Sequence, residues 1–165
     1  MKKYFLFSFI MIIGIVGKAQ ENKPANTVGI GLGLGILTSE TSILNASMNV
    51  EGDVFLSKNF SIMGHIDYNR LFAKGESGSA GFMTAHVGPR VHISEKFFAG
   101  VGIGYAYFAG NGFSAGAFSY YPHIGLDFKG SQVSINYKAI TDQGNTEGMI
   151  GLGFLFKLGK NKSTK

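Results

Sequence analysis

His65 and Asp67 stand two residues apart, Glu51 and Asp53 likewise, and His86 and Arg90 four apart. Each set falls where polar side chains take every second position, so each set points to one side of an extended strand. Imidazole and carboxylate groups bind divalent metals, and histidine moves protons near neutral pH. If the connection after Phe72 centres near Glu76, antiparallel pairing sets His65 across from His86. If the preceding turn centres near Lys58, Glu51 comes close to His65, and Asn49 and Asp67 become neighbours. Glu51, His65, Asp67, His86 and Arg90 are therefore the candidate cluster.

Two uses of such a cluster compete. One is a metal site or an acid–base pair. The other, favoured here, is a plug. If such strands close into a small barrel, its interior has room only for its own side chains, and polar groups buried there must pair with one another. His86 and His92 lie about 20 Å apart along one strand and cannot share a metal. No metal, cofactor or catalytic residue is assigned.

Hydrolase chemistry needs serine, histidine and an acid in reach. Ser61, Ser119 and Ser134 share the polar side, but there is no nucleophile elbow. Barrel enzymes that act on lipid need a serine–histidine pair at the outer rim or on the lipid face, and no histidine falls there, so an enzyme is not expected. Gly29, Gly31, Gly33 and Gly35 superficially suggest a phosphate loop. Their spacing of two runs through a strand instead, which makes them room-makers beside bulky neighbours such as Phe98, Phe108 and Tyr121. A small internal cavity for an apolar ligand is expected near 27–37, 97–108 and 150–158.

The elements that would position these residues are eight segments of alternating pattern. They run Thr27–Leu37, Leu44–Phe55, Phe60–Phe72, Phe82–Ile93, Phe97–Phe108, Phe118–Phe128, Val133–Thr141 and Ile150–Leu158. In the last, Ile150, Leu152, Phe154, Phe156 and Leu158 share one face. Tight turns at Ser57–Asn59, Ser94–Lys96 and Gly130–Gln132 alternate with longer connections at 38–43, 73–81, 109–117 and 142–147.

Residues 1–19 read as an export signal: Lys2 and Lys3, an apolar run from Tyr4 to Val16, then small residues at Gly17 and Ala19. Residues 20–26 form a short lead, 27–158 the barrel and 159–165 a basic tail. Loss of the signal lowers the formal charge from +5 to about +2, because Lys2, Lys3 and Lys18 leave with it. No basic helix or aromatic-basic interleaving remains, which argues against nucleic acid as a partner. The chain has no cysteine, so neither a disulfide framework nor a thiolate metal site is available.

With its final Gly151-Leu152-Gly153-Phe154-Leu155-Phe156 strand, the chain resembles the small eight-stranded outer-membrane β-barrel family of Bacteroidetes-type bacteria. That resemblance implies an all-β fold: an eight-stranded antiparallel up-and-down transmembrane barrel in the Gram-negative outer membrane. It implies outer-membrane lipid, the barrel-assembly machinery and other outer-membrane proteins as partners. The family departs from this chain in ending on an aromatic, where Gly159–Lys165 follow here.

The face that meets lipid follows from charge. The polar face is glycine-rich and too sparsely charged for a solvated exterior, so it points inward. Tyr68, Tyr105, Tyr107, Tyr120 and Tyr137 lie on the apolar face, often near strand ends, as in an interfacial girdle. The expected role is structural or interactive, within a larger assembly. A narrow channel or a barrel for a small or lipidic ligand is the alternative, and a lipid-modifying enzyme a weaker one.

Overall fold

The computed structural model describes residues 24–39, 43–73, 79–110 and 113–158. The expected export segment and basic tail lie outside the described residues. Eight strands run in chain order: β1 (Thr27–Leu37), β2 (Ile43–Ser57), β3 (Phe60–Ala73), β4 (Ser79–His92), β5 (Phe97–Gly110), β6 (Phe113–Asp127), β7 (Ser131–Asp142) and β8 (Asn145–Leu158). Each pairs antiparallel with the next, and β8 returns to pair with β1. Closure leaves no strand edge with unpaired backbone groups.

The register follows from the alternation. Glu51 lies opposite His65, Asn49 opposite Asp67, and His65 opposite His86, as expected. The connections differ from expectation. β6 begins at Phe113 and β8 at Asn145, where longer loops were expected. β7 and β8 are joined by a tight turn at Gln143 and Gly144, both with positive φ. The anticipated contrast between short turns at one mouth and longer loops at the other is therefore weak. The mouth holding the β1–β2, β3–β4, β5–β6 and β7–β8 connections is here the loop mouth; Thr27 and Leu158 stand at the turn mouth.

The wall shows two faces. Leu34, Met48 and Leu152 are 71%, 63% and 61% exposed, whereas inward Ser61, Asn69 and Ser119 are fully buried. The apolar face is outside, the reverse of a water-soluble barrel. Pro89 and Pro122, which lack an N–H, sit where the β4–β5 and β6–β7 ladders each skip two positions.

Tyr68, Tyr105, Tyr107, Tyr120 and Tyr137 lie on the outer face. Tyr120 and Tyr137 are not near strand ends; they pack against each other at mid-strand, ring centroids 6.2 Å apart. Three tyrosines also cover outward glycines on the neighbouring strand. Tyr68 overlies Gly81, Tyr105 overlies Gly116 and Tyr137 overlies Gly148, so a methyl group added at any of these glycines would meet the ring.

The interior is layered, and its apolar residues extend beyond the expected Phe98, Phe108 and Tyr121. At the turn mouth the Phe55 and His92 rings pack at a tilt of 35°, centroids 4.9 Å apart, beside Phe98. The middle is polar and charged. At the loop mouth Phe82, Ala106, Ala117, Ile140 and Met149 form an apolar cluster facing inward.

Candidate functional site

The middle layer is built on β2, β3, β4, β6 and β7. Arg90, 1% exposed, is its hub. Its Nη1 donates to Asp53 Oδ2 at 2.6 Å and its Nη2 to Glu51 Oε1 at 2.7 Å. Its Nε donates to His123 Nε2 at 3.1 Å, and its guanidinium lies over the Phe98 ring, 4.5 Å from the centroid. Ser61 Oγ completes the set by donating to Asp53 Oδ1 at 3.0 Å.

From Glu51 the network continues across the lumen. His65 Nδ1 lies 2.9 Å from Glu51 Oε2, and its Nε2 lies 3.0 Å from Asp67 Oδ2. Both contacts are hydrogen bonds only when both ring nitrogens carry hydrogen. Asp67 also accepts from Thr84 Oγ1 at 2.6 Å, from Asn69 Nδ2 and from Lys138 Nζ. Lys138 Nζ donates in addition to Asn69 Oδ1 at 2.9 Å. Three buried carboxylates thus face Arg90, Lys138 and the His65 ring, and the charges cancel when both ring nitrogens carry hydrogen. Such cancellation is what buried ions require.

Tyr121 forms the aromatic floor of this layer. It stacks on His65, His123 and His86, with centroids 4.6, 5.0 and 5.3 Å away. His86 lies at the edge of this network, its ring centroid 6.0 Å from that of His65 and its Nδ1 3.4 Å from Thr84 Oγ1. Its Nε2 bonds Ser119 Oγ at 2.9 Å, and Ser119 Oγ in turn donates to the Ala139 carbonyl at 2.9 Å. The His86–Ser119 contact has the spacing of a base–nucleophile pair. Yet the serine hydrogen is committed to a backbone carbonyl, and Ser119 is fully buried.

The structure therefore joins Glu51, His65, Asp67 and Arg90 in one network and places His86 beside it, tied to Ser119. Asp53, His123 and Lys138 belong to the same network. Their inward parity was legible; their reach across the lumen was not. The two nitrogens of His65 point to different carboxylates, so the groups form a line and do not converge on a point. Among the described residues no three metal-binding side chains gather around one position.

Strand β5 explains how distant strands meet. Gly100 lies opposite both Arg90 and His123, and Gly104 opposite both His86 and Ser119. With no side chains there, residues of β4 and β6 touch over β5. A void of about 30 Å³ lies between the network and the glycines of β1 and β8, lined by Asn45, Ser47, Asn136 and Lys138. It has the volume of about one water and polar walls. Buried Asn45 Oδ1 and Asn49 Oδ1, in β2, have no protein partner.

No protein-family model matches the chain, and no curated protein sequence matches it. Solved structures do. The attachment invasion locus protein Ail of Yersinia pestis is 15% identical with a TM-score of 0.55, covering 83% of this chain and 100% of Ail. The backbone structure of the outer membrane protein Ail in a phospholipid bilayer nanodisc is 11% identical with a TM-score of 0.54, covering 79% and 99%. At such identity the likeness shows the fold: a closed eight-stranded antiparallel barrel of the kind found in outer-membrane proteins.

Proposed function

We propose that this chain is a Gram-negative outer-membrane β-barrel protein, exported by its N-terminal segment, whose lumen is closed by its own side chains. Its role is structural or interactive, as a component of an outer-membrane assembly. The observation that carries this reading is the pairing of an apolar outer wall with a charge-neutral interior network centred on Arg90. The wall suits lipid hydrocarbon, and the network suits rigidity rather than passage. Outer-membrane lipid surrounds the wall, the barrel-assembly machinery inserts it, and other outer-membrane proteins are its companions. The turn mouth, where both ends of the barrel domain emerge, faces the periplasm.

Two measurements test this. Mild-detergent extraction of isolated outer membranes followed by native mass determination should yield a particle heavier than one copy of the chain. Planar bilayers carrying the purified barrel should stay electrically silent. A single-copy particle with steady conductance would replace this reading with the narrow-channel alternative. Recovery only in the soluble periplasmic fraction would remove the membrane assignment.

A further inference from the structure

The apolar cluster at the loop mouth does not fill the space above it. Above Phe82, Ile140 and Met149 the barrel opens into a cup of about 490 Å³, with Leu37, Leu71 and Phe108 on its walls. The carboxylates of Asp142 and Glu147 stand among its lining residues at the end of the lumen. Ser39 Oγ donates to Glu147 Oε2 at 2.5 Å, which orients that carboxylate. Small-molecule sites commonly have this form, an apolar concavity of about 300–1,000 Å³ with few polar groups at fixed positions.

An inward apolar surface at this end of the lumen is not required for membrane insertion, because it faces away from lipid.

We propose that this cup binds a small amphiphile with a compact apolar body and a protonated amine, the body against Phe82, Ile140 and Met149 and the amine at Asp142 and Glu147. The charged layer lies beneath the cup and lends none of its residues to the cup's lining. The inference goes beyond the closed-lumen reading: a conducting barrel would overturn that reading and leave the cup intact.

Methionine makes the test specific. The barrel carries Met48 and Met83 on its outer face, Met63 in the charged layer and Met149 in the cup. With methyl-labelled methionine, the barrel in lipid nanodiscs is titrated with 1-adamantanamine and, separately, with 1-adamantanecarboxylate, two probes of one shape and opposite charge. The expected result is a saturable shift of the Met149 methyl resonance with the amine. Met63 stays still, and Met48 and Met83 change only in proportion to probe dissolved in lipid. The carboxylate should bind at least about tenfold more weakly, as should the amine to the D142N/E147Q variant. The variant Ala117→Phe, which fills the cup without touching the rim, should abolish saturation. A Met149 response no different from that of Met48 and Met83 would overturn the proposal. So would equal binding of the two probes, or unchanged amine binding in Ala117→Phe. Variants are compared only where heat-modifiable gel migration shows a closed barrel.

Discussion

Arg90 on β4 reaches His123 on β6 across an intervening strand, Nε to Nε2 at 3.1 Å, through the gap left by Gly100 on β5. His123 Nδ1 faces the carbonyl of Tyr121 at 3.2 Å. The ring therefore donates to Tyr121 from Nδ1 and accepts from Arg90 at Nε2. A Cβ at Gly100 would lie 2.7 Å from that accepting nitrogen. Gly100→Val should therefore separate the pair and destabilise the barrel by about 1–3 kcal/mol, the usual cost of overpacking. Gly64→Ala is the matched control, since no atom lies within 4 Å of the added methyl. Guanidinium unfolding from vesicles compares the two. Equal midpoints would show that the β5 gap is not needed.

Arg90 also tests whether the network is a plug. Arg90→Leu leaves Glu51 and Asp53 buried without their cation, and removing one partner of a buried pair costs about 3–5 kcal/mol. Neutralising the carboxylates as well, in E51Q/D53N/R90L, should restore most of that stability. The single variant should fold poorly and the triple variant well, read as the fraction of barrel that keeps its compact, heat-modifiable migration. A single variant as stable as the wild type would mean that the pairing contributes nothing to closure.

The fold was largely legible because a barrel strand carries a strong period-two signal and the register follows from turn positions. The strand ends were not. Ser79–Gly81, Phe113–Ala117 and Asn145–Met149 are rich in glycine and polar residues, yet all lie in paired strands. Backbone pairing continues wherever a partner strand is present, whatever the side chains. The candidate cluster was legible in part for a similar reason. Register shows direct neighbours such as Glu51 and His65, but not that Lys138 spans the lumen to Asp67. The inward Phe82, Ile140 and Met149 had the right parity and were hidden by the expectation that a membrane barrel is polar inside.

The outward tyrosine–glycine pairs should be energetically coupled. In antiparallel sheets diagonal neighbours lie within reach of aromatic side chains, and an aromatic ring over a glycine covers backbone that would otherwise be bare. Gly148→Ala should displace the Tyr137 ring and destabilise the barrel by about 1 kcal/mol, and the same change should be milder in a Tyr137→Leu background. A double-mutant cycle on unfolding midpoints measures this directly. Strict additivity would mean that the ring and the glycine are neighbours without interaction.

The β7–β8 turn carries local strain that a single substitution should relieve. Gln143 has φ of 47° and Gly144 φ of 88°. A two-residue hairpin turn with both central φ values positive favours asparagine followed by glycine. Glutamine has a longer side chain and gains little from local hydrogen bonding in that conformation, whereas asparagine adopts it readily. Gln143→Asn should therefore stabilise the barrel by about 0.5–1 kcal/mol. Gly144→Ala should destabilise it by about 1–2 kcal/mol, since a Cβ is disfavoured at positive φ even where space is open. Both are read from unfolding midpoints in the same vesicles. The prediction would be overturned if Gln143→Asn lowered the midpoint, or if Gly144→Ala left it unchanged, because either result would mean that the turn is not held in this conformation.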